Sequence, residues 1–143
     1  KKYSNEKIDE LNFLIHALLQ EHTPLNLNPM NRYQIEPTDL IKGVQCPYCS
    51  GFPMKRIHGK WLCKKCNKTS VTAHLIALKD YLLLIKPTIN NQEARDYLNV
   101  PSNDVMKRIF QSLDVETVGL NKGRKYKLSL DVQNRLLEKG NET

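Results

Sequence analysis

Four cysteines constrain this chain more than any other feature. They fall as Cys46-Pro-Tyr-Cys49, thirteen intervening residues, then Cys63-Lys-Lys-Cys66. Two residues between paired cysteines let both thiolates face one ion from a tight knuckle, and two knuckles supply the four soft ligands of a closed tetrahedron. The intervening stretch has the length of a hairpin, in which Met54–Ile57 can pair with Lys60–Leu62 across the His58-Gly59 turn. The spacing therefore predicts a zinc ribbon, with Cys46, Cys49, Cys63 and Cys66 holding one structural Zn²⁺. Iron in the same four-thiolate geometry is the alternative metal. A disulfide pair does not suit a chain with no secretory leader pattern, and a redox motif would use one C-x-x-C at a strand–helix junction. The segment's large apolar side chains are Tyr48, Phe52, Met54, Ile57, Trp61 and Leu62, too few for a core of their own, so the metal must supply folding free energy. His58, in the turn, and His74, opening the next helix, are expected to be non-ligands, although His74 could donate a hydrogen bond to a thiolate.

Charge separates the chain into unequal parts. Residues 43–70 carry six basic and no acidic side chains, whereas residues 1–42 and 71–143 are nearly balanced, within a total of +7. An all-basic segment beside a mildly basic one suits a polyanion, most often nucleic acid, with a merely solubilising surface as the bland alternative. The most apolar stretch, Leu75 to Ile85, is too short to span a bilayer and carries Lys79 and Asp80, so a soluble, cytoplasmic protein is expected. Starting at Lys1, the chain reads as a piece of a longer protein.

Three regions are expected, at residues 1–43, 44–70 and 71–143. The first opens with an amphipathic helix over residues 5–22, carrying Ile8, Leu11, Ile15 and Leu18 at three- and four-residue steps, with Ser4 as N-cap. Pro24 ends it, and an aperiodic linker follows. The second region is the ribbon. The third starts with a broadly apolar helix from Thr72 to Pro87, in which Leu75, Leu78, Leu82 and Ile85 form a stripe that Ile76, Tyr81, Leu83 and Leu84 widen. Asn90 with Glu93 gives a capping box for a short helix through Leu98, and Ser102 caps another to about Leu113. Strand-like alternation in Glu116–Leu120 and Lys125–Leu130 flanks an Asn121–Arg124 turn, and residues 131–139 add a last helical turn. The fold class is α+β: a helix and linker, a Cys₄ ribbon, and a winged helix-turn-helix.

In that third region Val105, Met106, Ile109, Phe110 and Leu113 would dock the second helix. Asn103, Lys107, Arg108 and Gln111 would face a DNA major groove, while Lys122, Arg124 and Lys125 at the hairpin tip would touch phosphates. The ribbon adds Lys55, Arg56 and Lys60, and its mixture of cations and aromatics also suits single strands. Asp104 and Asp114 bracket the reading helix and would repel phosphate, so a protein-interaction module is the competing reading. Paired carboxylates, a phosphate-cradling glycine loop and a free cysteine nucleophile with a base are all missing from the sequence. An enzyme in its own right is therefore not expected.

The combination of Cys46-Pro-Tyr-Cys49, Met54-Lys55-Arg56, Gly59-Lys60-Trp61-Leu62-Cys63, Ala73-His74, Asp80-Tyr81, Glu93-Ala94-Arg95 and Lys122-Gly123-Arg124-Lys125-Tyr126 resembles the C-terminal region of bacterial nuclease-related-domain (NERD) proteins, over roughly residues 44–130. The resemblance implies a DNA-linked protein whose nuclease-like domain lies N-terminal to this region, with residues 1–22 as its final helix; the DNA partner expected is double-stranded. It carries over the metal ligands and a DNA-contact role for the winged part, and no catalytic residue.

Overall fold

The computed structural model describes residues 5–21 and 28–131. Among them are five α-helices and two small antiparallel sheets, an α+β arrangement. Helix α1 spans Asn5–Glu21 as the periodicity predicts, and its apolar side chains stand in the open: Ile8, Leu11, Ile15 and Leu18 are 45–69% exposed. The expected Ser4 cap and the tail beyond Asp131 fall outside the described residues.

The stretch read as an aperiodic linker contains a short helix, α2 (Pro29–Tyr33), and a 3₁₀ turn, Pro37–Asp39. Its signal was local rather than periodic. Asn28 accepts a hydrogen bond from the Met30 N–H, and Pro29 occupies the first helical position, where its missing N–H costs nothing.

The ribbon hairpin forms where the spacing predicts it, with β1 (Lys55–Ile57) antiparallel to β2 (Lys60–Leu62). His58 lies in the turn at φ 42° and is exposed. A third strand, β3 (Thr69–Ser70), pairs with β2, so Trp61 is central, opposite Arg56 on one side and Ser70 on the other. Ser70 then links sheet to helix, because its Oγ accepts from the Thr72 and Ala73 N–H groups at the start of α3 (Ala73–Leu84). On α3, Leu75, Leu78 and Tyr81 are buried, while Ile76 and Leu83 are 41% and 50% exposed. The expected stripe is thus narrower than read, since those two side chains project from the far side of the helix.

Strand β4 (Thr88–Asn90) runs directly into α4 (Asn91–Leu98), and α5 (Asn103–Leu113) follows after a four-residue turn. β5 (Thr117–Val118), a 3₁₀ turn at Asn121–Gly123 and β6 (Lys125–Lys127) complete a sheet of order β4-β6-β5. Gly119 is required here: at φ 82° its Cα lies so near the Gly123 carbonyl that a Cβ would sit 2.7 Å from that oxygen. Tyr126, opposite both Ile89 and Thr117, stacks on Phe110 with ring centroids 3.7 Å apart. Buried side chains from Val44 to Leu128 form one cluster, in which Trp61 and Cys63 of the ribbon join Leu78, Leu98, Ile109 and Phe110 of the helices.

Candidate metal centre and basic clefts

The two cysteine knuckles repeat one backbone pattern. The Ser50 N–H donates to the Cys46 carbonyl and the Asn67 N–H to the Cys63 carbonyl, at 3.0 and 2.9 Å. The Cys46 and Cys63 N–H groups donate in turn to the carbonyls of Gly51 and Lys68. Ser50 and Asn67 both turn the chain at positive φ, 55° and 57°. Two copies of one turn facing each other bring all four Sγ atoms within 4.8 Å of one another.

Sγ of Cys46 lies 3.6 Å from that of Cys66, and Sγ of Cys49 lies 3.6 Å from that of Cys63. Disulfide sulfurs would be about 2.05 Å apart. Ligands at about 2.3 Å from a tetrahedral ion would be separated by about 3.8 Å. The cysteines are free, Cys46 and Cys63 are buried, and the quartet has the shape of a single-ion site. Gly51 makes that approach possible, because a Cβ there would lie 3.0 and 3.1 Å from the sulfurs of Cys63 and Cys49. Protonation fits the same picture. N–H groups of Cys66 and Lys65 aimed at Cys63 pull its pKa below the ordinary thiol range. At Cys49 the Gly51 N–H favours the thiolate, but hydrogen bonding to the neighbouring sulfurs, with burial, pushes the pKa up. Crowded sulfurs of this kind share negative charge poorly unless a cation sits among them.

Neither histidine belongs to the quartet. His74 departs from expectation in its partner: its Nδ1 accepts from Trp61 Nε1 at 3.1 Å, not from or to a thiolate. Burial, assisted by the nearby Arg56 charge, lowers its pKa to about 4, so the ring is neutral at pH 7. Trp61 is fully buried, with the Arg56 guanidinium 5.1 Å above its ring.

Five of the eight cations expected to contact DNA, Lys55, Arg56, Lys107, Lys122 and Arg124, line two clefts. The first, about 650 Å³, lies between α4, the start of α5 and the turn before β6. It brings together Asn103 and Lys107 of α5 with Lys122 and Arg124 of the turn, and none of its lining residues is acidic. Gln111 lines an adjoining groove of about 320 Å³, again with Lys107 and Arg124. Arg108 and Lys125 are exposed but line neither cavity, and Lys125 bears electrostatically on Glu93. Lys107 is also 3.8 Å from Asp104, an exposed pair that offsets part of its charge. The sequence reading missed Asn91, Gln92 and Arg95, which form the α4 wall of this cleft. Their three- and four-residue spacing on the polar side of a short helix was the available signal.

The second cleft, about 640 Å³, separates the ribbon from the α4–α5 turn and is lined by Lys55, Arg56, Lys64 and Lys65 together with Phe52, Asn99 and Pro101. Lys60, at the hairpin end, lies outside it. Compared with known proteins, the chain matches no family model, no curated protein and no solved structure. No helix among the described residues is long and apolar enough to cross a membrane.

Proposed function

We propose that this chain is a zinc-dependent DNA-binding module that positions a nuclease-like domain on DNA. Four thiolates in a closed tetrahedron favour Zn²⁺ over harder cations, and its role here is structural, since no ligand position stays open for chemistry. In this reading α4 and α5 act as a helix-turn-helix, the β5–β6 hairpin is its wing, and the basic ribbon is a second contact surface. Thiols kept free for metal suit a reducing cytoplasm. Catalysis is assigned to the nuclease-like domain that the NERD-like pattern implies, N-terminal to this region in the same protein.

The observation that carries the proposal is the first cleft. Arg95, Lys107, Lys122 and Arg124 arrive from three separate elements at one cleft whose lining carries no acidic residue. Cations gathered this way raise the local potential for phosphate, and the polar asparagines and glutamine among them can meet base edges or backbone oxygens. Fluorescence anisotropy with duplex DNA tests it. If about five phosphates are neutralised, log affinity falls against log salt with a slope of roughly −4 to −5. Alanine at Lys122 and Arg124 flattens that slope by about 1 to 2 units. A salt-independent response sinks the DNA reading, and metal content by mass spectrometry separates zinc from iron.

A protein-interaction role is the second reading, and the apolar side chains exposed on α1 are what favour it. It requires that the Lys122 and Arg124 substitutions leave partner capture intact, while polar substitution of Leu11 and Leu18 abolishes it in a pull-down.

A further inference from the structure

The cleft between ribbon and helices differs in kind from the one beside the wing, and the difference bears on which form of DNA is preferred. Its cations come from two places that the metal knuckle and hairpin fix. Lys64 and Lys65 are the two residues between Cys63 and Cys66, forced outward because the cysteines turn inward. Lys55 and Arg56 belong to β1. Arg56 is unusual among them: Nε and Nη1 are buried with no hydrogen-bond partner, and the residue has no ion pair among the described residues. A guanidinium that lies over the Trp61 ring with two nitrogens out of water, and with no counter-charge among the described residues, favours an anion at its remaining edge.

The same cleft has an aromatic wall, which the wing cleft has only through the buried Tyr126. Phe52 is exposed, and Gly43 approaches it so closely that a Cβ on Gly43 would lie 2.8 Å from Phe52 Cζ. A ring limited by so close a backbone loses little freedom on stacking. The Asn99 side chain, at the opposite rim, can donate and accept to a base edge.

We infer that this cleft receives an unpaired nucleotide, its base stacked on Phe52 and its phosphate held by Arg56 with Lys64 and Lys65. The preferred partner is then a DNA duplex with a single-stranded extension. Bases inside a duplex are already stacked on their neighbours and offer no free face to a protein ring, whereas an unpaired base does. The two clefts adjoin: Pro101 lines one and Asn103 the other, two residues apart and so within about 7 Å. A duplex lying against α5 and the wing would therefore deliver its unpaired end to the ribbon. This inference rests on the DNA-binding reading above and adds the form of the DNA.

The test compares three fluorescent probes at one salt concentration, using the whole 143-residue chain loaded with zinc: a blunt duplex, the same duplex with a short thymidine tail on either strand, and the tail alone. The tailed duplex should bind roughly 5- to 150-fold tighter than the blunt one, the range expected from one stacked base. Phe52→Ala should abolish this advantage and leave blunt-duplex affinity unchanged. Because Phe52 also packs on Gly43, the exposed pair Lys64→Gln and Lys65→Gln, checked for unchanged metal content, provides a second variant, in which the advantage should shrink. A 2-aminopurine in the tail should be quenched on binding to wild-type protein and not to Phe52→Ala. Equal affinity for blunt and tailed duplexes with no quenching overturns the inference and leaves duplex binding standing. Failure to bind any of the probes overturns the DNA reading, and this inference with it.

Discussion

The ribbon and the helical region are stabilised by different physics although they share one buried cluster. The ribbon places few large apolar side chains in the core, chiefly Val44, Met54 and Trp61, and closes on four sulfurs. The region from α3 to β6 buries Leu75, Leu78, Ile89, Leu98, Met106, Ile109 and Phe110, an apolar set expected to hold the helices without a metal. Trp61 stands at the seam, in β2 by chain position and against His74 of α3 by contact. The contrast teaches that one continuous core need not mean one source of stability. A short loop-rich segment can lean on an ion while its neighbour leans on burial.

The sharpest way to break this contrast is to take the metal away. Zn²⁺ binding to such sites contributes on the order of 10 kcal/mol, nearly all of it folding free energy. Cys63→Ser, or chelation, should unfold the ribbon. The chain has a single tryptophan, Trp61, fully buried, so its emission should shift to the red. Far-UV circular dichroism at 222 nm, dominated by the helices, should stay near its starting value. If ellipticity collapses together with the fluorescence change, the two regions are one cooperative unit and the contrast fails.

The complementary cut is Phe110→Ala. Phe110 is 2% exposed and stacks on Tyr126 at an interplanar angle of 10°. Loss of a buried phenyl ring costs about 3–5 kcal/mol, and this one also takes a stacking partner from the centre of the β4-β6-β5 sheet. Denaturant unfolding followed at 222 nm should show a large drop in midpoint, while the metal content of the proposed site is unchanged from that of the unsubstituted chain. Metal loss in the folded variant would mean that the ribbon depends on the helical core rather than on its own ligands.

What could be read from the sequence divides along the same line. The cysteine spacing, the His58-Gly59 turn and the caps at Asn90 and Ser102 are local signals, and each sits where its chemistry predicts. Strands β3 and β4 were not legible, because two or three residues leave no alternation to detect and their pairing is settled by distant partners, Trp61 and Tyr126. The same holds for His74. Nothing near it in sequence announces an indole N–H donor thirteen residues earlier. Helix α2 was legible in principle, through Asn28-Pro29, but a search for apolar period passes over a helix of five residues. Of the basic residues, Lys107 of α5 and Lys122 and Arg124 before β6 line one cleft while Arg108 and Lys125 do not, and Arg95 joins that cleft because α4 packs against α5.

The seam itself can be tested through pH. His74 has a folded pKa of about 4 against an ordinary 6.5, with burial as the main cause and the Arg56 charge second. The unfolded chain therefore binds more protons than the native one between those values. Stability is fully present above about pH 6.5 and declines as pH falls toward 4, by at most about 3 kcal/mol from this group. A proton NMR titration of the metal-loaded protein should find the His74 ring neutral at pH 5.5. A His74 midpoint near 6.5 would show that the Trp61–His74 contact is open to water and that the seam is no barrier between the regions.

The smallest effects come from the helix starts, where hydrogen-bond geometry should set the order. At α4 the Asn90 Oδ1 accepts from the Glu93 N–H at 2.8 Å, and Glu93 Oε2 accepts from the Asn90 N–H at 2.9 Å, with Lys86 bound to the other carboxylate oxygen at 2.6 Å. At α5 Ser102 Oγ accepts from the Val105 N–H at 3.4 Å, with no reciprocal bond from N3. Removing either cap exposes one donor, but only Asn90→Ala also loosens the orientation of Glu93 and its pairing with Lys86. Asn90→Ala should therefore cost about 1–2 kcal/mol and Ser102→Ala about 0.5 kcal/mol. Both effects should appear in the unfolding midpoint at 222 nm, without change in the Trp61 emission of the folded protein or in zinc content. Equal losses would mean that the long Ser102 bond shortens in solution. A shift in Trp61 emission from either substitution would mean that the helix starts communicate with the ribbon through the turn between α4 and α5, which borders the ribbon cleft.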